Sequence, residues 1–300
     1  MGRAPAGSLN AGGVAASAAS AASDVGNVGN VGEVGEVGEV PAVFATPAAE
    51  GSPGLFRLVG AELSRWGKDS AALVTAPLSW DGTDWARFGS LSAGVGGLML
   101  ADKKVYEWVE DHRTSTSDRV ANAIAPFGAE YAVGVSAALL VGGLVFKDPV
   151  IRDAGRDAIE ASVISAVLVN VVLKPSFGRE RPYDSGGETV FHPFSSNASF
   201  PSGHTTEAFA VASVVAMRSD GWFIPTIAYT TASLVAVARV EQSAHFASDV
   251  FAGAVLGTVV GRFVVARNWP AKELAGPSLP PAVRVTLLAI SGGLALHAAW

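Results

Sequence analysis

Uncharged apolar runs, separated by glycine, proline or charged breaks, constrain the fold of this chain more than any other feature. Most of the runs are longer than a typical strand, and no Asn-Gly turn joins alternating segments as in a hairpin. The runs cover residues 88–101, 131–146, 161–173, 208–217, 221–238, 250–261 and 285–300. We therefore predict an all-α fold, a helical bundle of about six core helices.

The composition suggests where this bundle resides. Hydrophobic residues make up 49% of the chain and charged residues only 16%, which is more apolar than an ordinary soluble domain. Only the run 221–238 approaches the roughly 18–20 residues that a spanning helix needs, and the other runs need polar flanks or tilt. Their Ala, Gly, Ser and Val residues suit helix packing in membranes. We expect an integral membrane protein; the alternative is a periplasmic or secreted protein, soluble or membrane-apposed.

The first fifty residues differ from the rest of the chain. Residues 11–23 are an Ala/Ser/Gly tract, and residues 25–40 repeat V-G-N or V-G-E. Such a segment has too little apolar bulk to offset the entropy lost on ordering, so it is expected to be disordered. The predicted parts are a low-complexity tail (1–52), N-terminal helical segments (53–120), a core with the motifs (121–268) and a C-terminal apolar helix (269–300).

Cations and small polar residues in the predicted core suggest a phosphate site. The transferred phosphoryl group spreads negative charge over its oxygens, so catalysis is mainly positioning and electrostatic stabilisation. Lys174, Arg181 and Arg239 supply positive charge, and an arginine can bind two oxygens at once. Ser202 and Gly203 add a hydroxyl and a backbone N–H that can approach closely. We predict that these residues bind phosphate.

Two histidines and an aspartate supply the reactive groups. His245 and Asp249 are four residues apart, so on a helix they share one face and can touch. The carboxylate can hold one ring nitrogen of His245 and leave the other nucleophilic, which predicts a phosphohistidine intermediate. His204, at the start of an apolar run, is then free to protonate the leaving oxygen and to activate water.

A metal site is the alternative use of the same side chains. His204, His245 and Asp249 could bind one ion as two imidazoles and a carboxylate. The three cations predicted above would then crowd a divalent metal, which is electrostatically unfavourable. We therefore predict no metal and no cofactor.

The predicted site residues lie in three short segments, which together resemble the three motifs of the type 2 phosphatidic-acid phosphatase and vanadium haloperoxidase superfamily. They read K-x6-R-P from Lys174, P-S-G-H ending at His204, and R-x5-H-x3-D from Arg239. The resemblance covers about half of the chain. The serine that the family has before the third-motif arginine is Ala238 here, so its hydroxyl is missing from any phosphate-binding role.

The resemblance implies the roles derived above and a metal-independent acid phosphatase of the lipid phosphatase branch. The implied partners are a membrane and a phosphorylated lipid, such as phosphatidic acid, phosphatidylglycerol phosphate or a polyprenyl diphosphate, or another small phosphoester. Vanadate is expected to inhibit, because it resembles the five-coordinate phosphoryl transition state. Two alternatives stay open: a vanadate-dependent haloperoxidase, and a non-catalytic membrane protein that binds lipid headgroups.

The remaining global features exclude other classes of function. The net charge of −6, with no basic stretch interleaved with aromatic residues, argues against a nucleic-acid partner. The chain has no cysteine, which excludes disulfides and thiol catalysis. The sequence contains neither a Walker-type phosphate loop nor a dinucleotide fingerprint.

Overall fold

The computed structural model describes residues 55–269, 284–290 and 293–299, so the predicted disordered tail lies outside the described residues. The helices are α1 (Leu55–Thr75), α2 (Gly82–Met99), α3 (Asp102–His112), α4 (Ser115–Ile124), α5 (Glu130–Val145), α6 (Pro149–Val167), α7 (Lys174–Phe177), α8 (Pro182–Ser185), α9 (Gly203–Met217), α10 (Phe223–Glu241) and α11 (Ala247–Asn268). Short 3-10 turns cover Ala76–Ser79 and Ala125–Gly128, and a π-helical turn covers Leu168–Leu173. The all-α prediction is confirmed for residues 55–269.

Side-chain caps explain where several of these helices begin. The Asp81 carboxylate accepts a 2.8 Å hydrogen bond from the backbone N–H of Thr83 at the start of α2. Asp148 does the same for Val150 at 2.8 Å, directly before the proline that opens α6. Ser202 caps α9. Each cap satisfies backbone N–H groups that have no partner within the helix.

A glycine stripe on α11 allows unusually close packing against α9. Gly253, Gly257 and Gly261 are spaced four apart, and a Cβ on any of them would lie within 2.7 Å of an α9-side backbone oxygen. At Gly257 the clash would be 2.1 Å, with the carbonyl oxygen of Thr206. Small residues at such spacing let helix backbones approach. As a result, the N-terminal ends of α9 and α11 lie side by side.

Several of the helices have the length and apolarity of membrane spans. They are Pro149–Phe177, Phe223–Glu241 and Ala247–Asn268. The two helices Ser115–Gly128 and Glu130–Val145, which meet at a bend of 43°, are a fourth candidate if they count as one span. Among the uncharged runs only 221–238 has this length, because helices α6 and α11 continue beyond their uncharged runs. Large apolar side chains such as Val237, 65% exposed, project outward, as expected of a lipid-facing surface.

The C-terminal segment differs from the prediction of an apolar helix over 269–300. Its described part forms two antiparallel strands, β1 (Arg284–Ile290) and β2 (Gly293–Ala299), with Arg284 opposite Ala299 and Ile290 opposite Gly293. The apolar run contains β-branched residues and is interrupted by two adjacent glycines. Both features disfavour a helix.

The predicted boundary between residues 120 and 121 also needs correction. It falls inside α4 (Ser115–Ile124), which packs against α10. Ala121 is buried in a small cluster with Ala125 and Ala238. The helices before residue 121 therefore include part of the bundle that holds the motifs.

Candidate active site

The first motif follows a change in helical geometry. The π-helical turn Leu168–Leu173 directly precedes Lys174, and such turns often accompany functional sites. The helix ends at Gly178, which has a positive φ of 56°. A Cβ there would lie 1.7 Å from the carbonyl oxygen of His192, so only glycine fits. The chain can therefore turn back and carry the rest of the motif past Lys174.

Most of the predicted site residues line one cavity of about 220 Å³. The predicted residues that line it are Lys174, Arg181, Gly203, His204 and His245. The other lining residues are Gly128, Ala129, Ser165, Ala166, Val169, Asn170 and Glu207. The Lys174 ammonium lies beside Gly203, since a Cβ on that glycine would be 3.4 Å from Nζ. The cavity therefore combines two cations, two imidazoles and the N-terminal end of α9, all suited to an anion.

His245 and Asp249 are adjacent, although not on one helix face as predicted. Helix α11 begins at Ala247, so His245 lies before it and Asp249 lies in its first turn. The distance from His245 Nδ1 to Asp249 Oδ2 is 3.7 Å, which is longer than a hydrogen bond. His245 is only 2% exposed. The carboxylate thus faces Nδ1, which leaves Nε2 as the ring nitrogen available to the cavity.

Three donors fix the Asp249 carboxylate. Ser199 Oγ donates to Oδ2 at 2.6 Å, and the backbone N–H of Phe246 donates to the same oxygen at 2.9 Å. Arg179 Nη1 donates to Oδ1 at 2.6 Å. The Asp249 backbone carbonyl also accepts from the N–H of Ser202 at 3.1 Å, which links the second and third motifs. Asp249 is therefore rigidly placed behind His245.

Both histidines of the site are shifted toward the neutral form. Burial is the main cause that lowers the pKa of His245 to about 4, although Asp249 acts in the opposite direction. Burial also lowers the pKa of His204 to about 4, with the nearby positive charge of Arg239 adding to the effect. Burial raises the pKa of Glu207 to about 7. At neutral pH both imidazoles keep a free lone pair.

Two predicted phosphate-binding residues do not line the cavity. The Ser202 hydroxyl is fully buried and caps α9, where it lies 3.0 Å from the Thr205 hydroxyl. Arg239 Nη1 donates to Gln242 Oε1 at 2.6 Å, yet its charge lies close enough to lower the pKa of His204. Ala238 is buried in an apolar cluster, so the departure from the family serine does not alter the cavity lining.

Sequence reasoning missed three residues of the site. Glu207 lies one helical turn after His204 and lines the cavity, and that spacing could have found it. Arg179 is the first arginine of R-E-R-P, but the motif spacing pointed to Arg181 alone. Asp102 contacts Arg179 from α3, and no sequence signal connects them because 77 positions separate the two residues.

The chain is similar in sequence to known proteins. Residues 158–273 match the family model of the PAP2 superfamily. The chain is 35% identical over 131 residues to a lipid A 1-phosphatase of Rhizobium etli. This alignment covers 41% of this chain and 55% of that protein. It is 28% identical over 156 residues to the undecaprenyl-diphosphatase BcrC of Bacillus subtilis, which covers 50% of this chain and 76% of that protein. The first of these alignments therefore spans about half of the relative's length.

A solved structure shares the fold. The transmembrane PAP2-type phosphatidylglycerolphosphate phosphatase of Bacillus subtilis superposes with a TM-score of 0.50 at 23% sequence identity. The match covers 61% of this chain and 93% of that structure. The resemblance read from the three motifs is thus confirmed by a family model and by curated relatives that are phosphatases. The part of the chain that matches the PAP2 superfamily model, residues 158–273, contains all three motifs.

Proposed function

We propose that this protein is a metal-independent phosphatase that hydrolyses a phosphomonoester or diphosphate of a lipid through a phosphohistidine intermediate. The observation that carries the proposal is the position of His245. It is buried against Asp249 and opens onto a cavity that also contains Lys174, Arg181 and His204. A nucleophile, a second imidazole and fixed cations around one small cavity are what phosphoryl transfer requires.

In the first step, a phosphate lies against Lys174 and Arg181, which neutralise its oxygens. The Nε2 lone pair of His245 attacks phosphorus as the bond to the leaving oxygen breaks, and His204 donates a proton to that oxygen. His204 is neutral in the empty cavity, because its pKa is about 4. A bound phosphate favours the protonated imidazole and raises this pKa, so the substrate itself prepares the general acid.

In the second step, water replaces the leaving group. His204, now neutral, accepts a proton from water as the oxygen attacks phosphorus, and the bond from phosphorus to His245 breaks. Inorganic phosphate leaves, His204 releases the proton that it took from water, and both imidazoles are neutral again. Throughout, Asp249 interacts with Nδ1 and stabilises the positive charge that develops on the His245 ring.

A membrane lipid is the substrate class that the surroundings support. Lys174 and Arg239 lie near the C-terminal ends of two candidate spans, and Asp249 lies near the N-terminal end of the third. The charged groups thus gather at one end of the spans, where an embedded bundle meets the headgroup layer. The curated relatives are named for lipid A and for undecaprenyl diphosphate. We therefore infer an integral membrane enzyme that receives a lipid phosphate from that layer.

Phosphate release tests this function. The purified full-length protein, in detergent with EDTA, is offered phosphatidic acid, a polyprenyl diphosphate, a lipid A-type sugar 1-phosphate and p-nitrophenyl phosphate. Release that vanadate inhibits and that His245→Ala abolishes supports the proposal, and the preferred compound identifies the substrate. Release that requires an added metal contradicts metal independence, and no release from any compound contradicts the enzyme itself.

A further inference from the structure

Arg179 is a fully buried cation that does not line the candidate active-site cavity. Its side chain is 0% exposed, and its Nη1 donates to Asp249 Oδ1 at 2.6 Å and to Ser248 Oγ at 2.7 Å. Its Nη2 donates to Asp102 Oδ2 at 2.7 Å, and Cζ lies 4.0 Å from the centre of the Phe246 ring. A buried charge is tolerated only when it is paired and hydrogen-bonded in this way.

Asp102 is the second carboxylate on this guanidinium. It lies in the first turn of α3 and is 1% exposed. Its Oδ1 accepts from the backbone N–H of Ser248 at 3.0 Å, and Oδ2 accepts from the Ser248 hydroxyl as well as from Arg179. Asp102 therefore holds the first turn of α11, next to Asp249, from a helix outside the PAP2 match.

The two carboxylates share one positive charge. Arg179 alone beside Asp249 would draw the negative charge of that carboxylate away from His245, because a guanidinium pairs strongly with carboxylates. Asp102 on the other side of the guanidinium offsets part of this attraction. The same contacts fix Oδ1 of Asp249, and thereby the direction in which Oδ2 faces His245 Nδ1.

We infer that Asp102 and Arg179 are positioning residues for His245 that act through Asp249. The inference rests on the proposed function in so far as His245 is the nucleophile. The charged groups that face His245 are Asp249, Arg239 and Arg181. Asp102 does not line the cavity, and its side chain bonds Arg179 and Ser248, so the contacts that connect it to His245 run through these two residues and Asp249.

A purely structural role for Asp102 would give different kinetics, and the chain offers a matched control. Asp157 is also 1% exposed and also pairs with an arginine, Arg218, at 2.6 Å. It lies on α6 and does not line the active-site cavity. Asp102→Asn and Asp157→Asn therefore make the same chemical change in the same kind of buried ion pair, and only the first is linked to Asp249.

The experiment compares kinetics and the ring state of His245 in both variants of the full-length protein. In Asp102→Asn, kcat is expected to fall by about 10- to 100-fold, the cost typical of a displaced catalytic group, with KM changed by less than about twofold. Asp157→Asn is expected to lower stability and to keep kcat. Asp102→Asn added to Asp249→Asn should cost nothing further, because both substitutions break one chain of contacts.

Nitrogen-15 NMR of labelled histidine gives a readout that does not need turnover. The proton of neutral His245 is expected on Nδ1, facing Asp249, and Asp102→Asn should move part of the population to the Nε2–H tautomer while Asp157→Asn does not. If Asp102→Asn does not fold, Ser248→Ala replaces it, since this variant removes a hydroxyl that bonds both Asp102 and Arg179. It should lower kcat and shift the tautomer in the same direction.

The inference is overturned if the folded variant keeps both the wild-type kcat and the wild-type tautomer. It is equally overturned if the loss in the double variant equals the product of the two single losses. Failure of the proposed function looks different, because the wild-type protein then releases no phosphate from any substrate. The tautomer measurement still decides in that case whether Asp102 is coupled to His245.

Discussion

The Nδ1 of His245 lies 3.7 Å from Oδ2 of Asp249, and that oxygen already accepts hydrogen bonds from Ser199 and from the backbone of Phe246. The carboxylate is thus held by its own partners and faces the imidazole without depending on it. This arrangement separates the contribution of the nucleophile from that of the residue that orients it.

Replacement of these two residues should therefore have unequal effects. His245→Ala removes the nucleophile and is expected to reduce kcat to background. Asp249→Asn keeps the shape and loses only orientation and charge, so we expect a loss of about 100- to 1000-fold in kcat, the range seen when electrostatic support at an active site is removed. Single-turnover kinetics on a soluble phosphoester measure both losses. Equal losses in the two variants would show that Asp249 does more than orient His245.

Burial of neutral His245 should make stability depend on pH. Its pKa is lowered from 6.5 to about 4 by burial, so between these values the unfolded state binds the proton and the folded state does not. Unfolding then takes up protons, and stability falls as the pH drops from about 6.5 to about 4. Tryptophan fluorescence during heating in detergent follows the melting temperature over this window.

His245→Gln should reduce the loss of stability between pH 6.5 and 4 relative to the wild type, because the substituted side chain does not titrate, while His204, whose pKa is also about 4, still contributes. His192→Gln is the matched control, since the His192 side chain is 56% exposed and lies outside the cavity lining. A melting temperature that changes with pH from 6.5 to 4 by the same amount in His245→Gln and in the wild type would contradict a buried neutral His245.

Glu207 should make anion binding depend on pH near neutrality. Burial raises its pKa to about 7, so above this pH a carboxylate shares the cavity with the bound anion and repels it. Inhibition by tungstate is expected to weaken as the pH rises from 6 to 8. Glu207→Gln should remove this pH dependence and strengthen tungstate inhibition at pH 8 by about 3- to 10-fold.

The control for Glu207→Gln is Glu188→Gln. The Glu188 side chain is 59% exposed, pairs with Lys103 and lies outside the cavity lining. Tungstate should inhibit Glu188→Gln as strongly as it inhibits the wild type at every pH. Identical pH profiles for Glu207→Gln and the wild type would exclude Glu207 as the group that titrates.

The glycine stripe on α11 should be essential for both stability and activity. A Cβ at Gly257 would lie 2.1 Å from the Thr206 carbonyl oxygen, so Gly257→Ala must push α11 away from α9. We expect a destabilisation of about 1–3 kcal/mol, typical of overpacking, and a loss of activity as His245 moves away from His204. Gly134→Ala in α5 is the control, because no atom lies within 4 Å of its added Cβ. An equal melting temperature for both variants would contradict this packing.

The site could be predicted from the sequence further than the packing around it could. Lys174, Arg181, His204 and His245 lie in short motifs whose residue types specify the chemistry, and they meet in one cavity. The motif predicts that the Ser202 hydroxyl binds phosphate, whereas in the structure this hydroxyl caps the N-terminus of α9. Residue type alone does not decide between these two partners.

Other features depend on contacts between distant parts of the chain. Asp102 lies 77 positions before Arg179, and only the packing of α3 brings them together. The C-terminal strands could not be predicted from the apolar run alone, because a run of that length is compatible with a helix or a hairpin.

Trapping of the covalent intermediate tests most directly whether His245 is the nucleophile. The protein is mixed with a substrate that carries a labelled phosphoryl group, quenched within one turnover in alkali, and digested for mass spectrometry. We expect a phosphoryl group on His245 that is stable in alkali, is lost in acid, and is absent from His245→Ala. In His204→Ala we expect no phosphoryl group on any residue other than His245. Turnover by the wild-type protein with no label on His245, or label on a different side chain, would contradict the phosphohistidine mechanism.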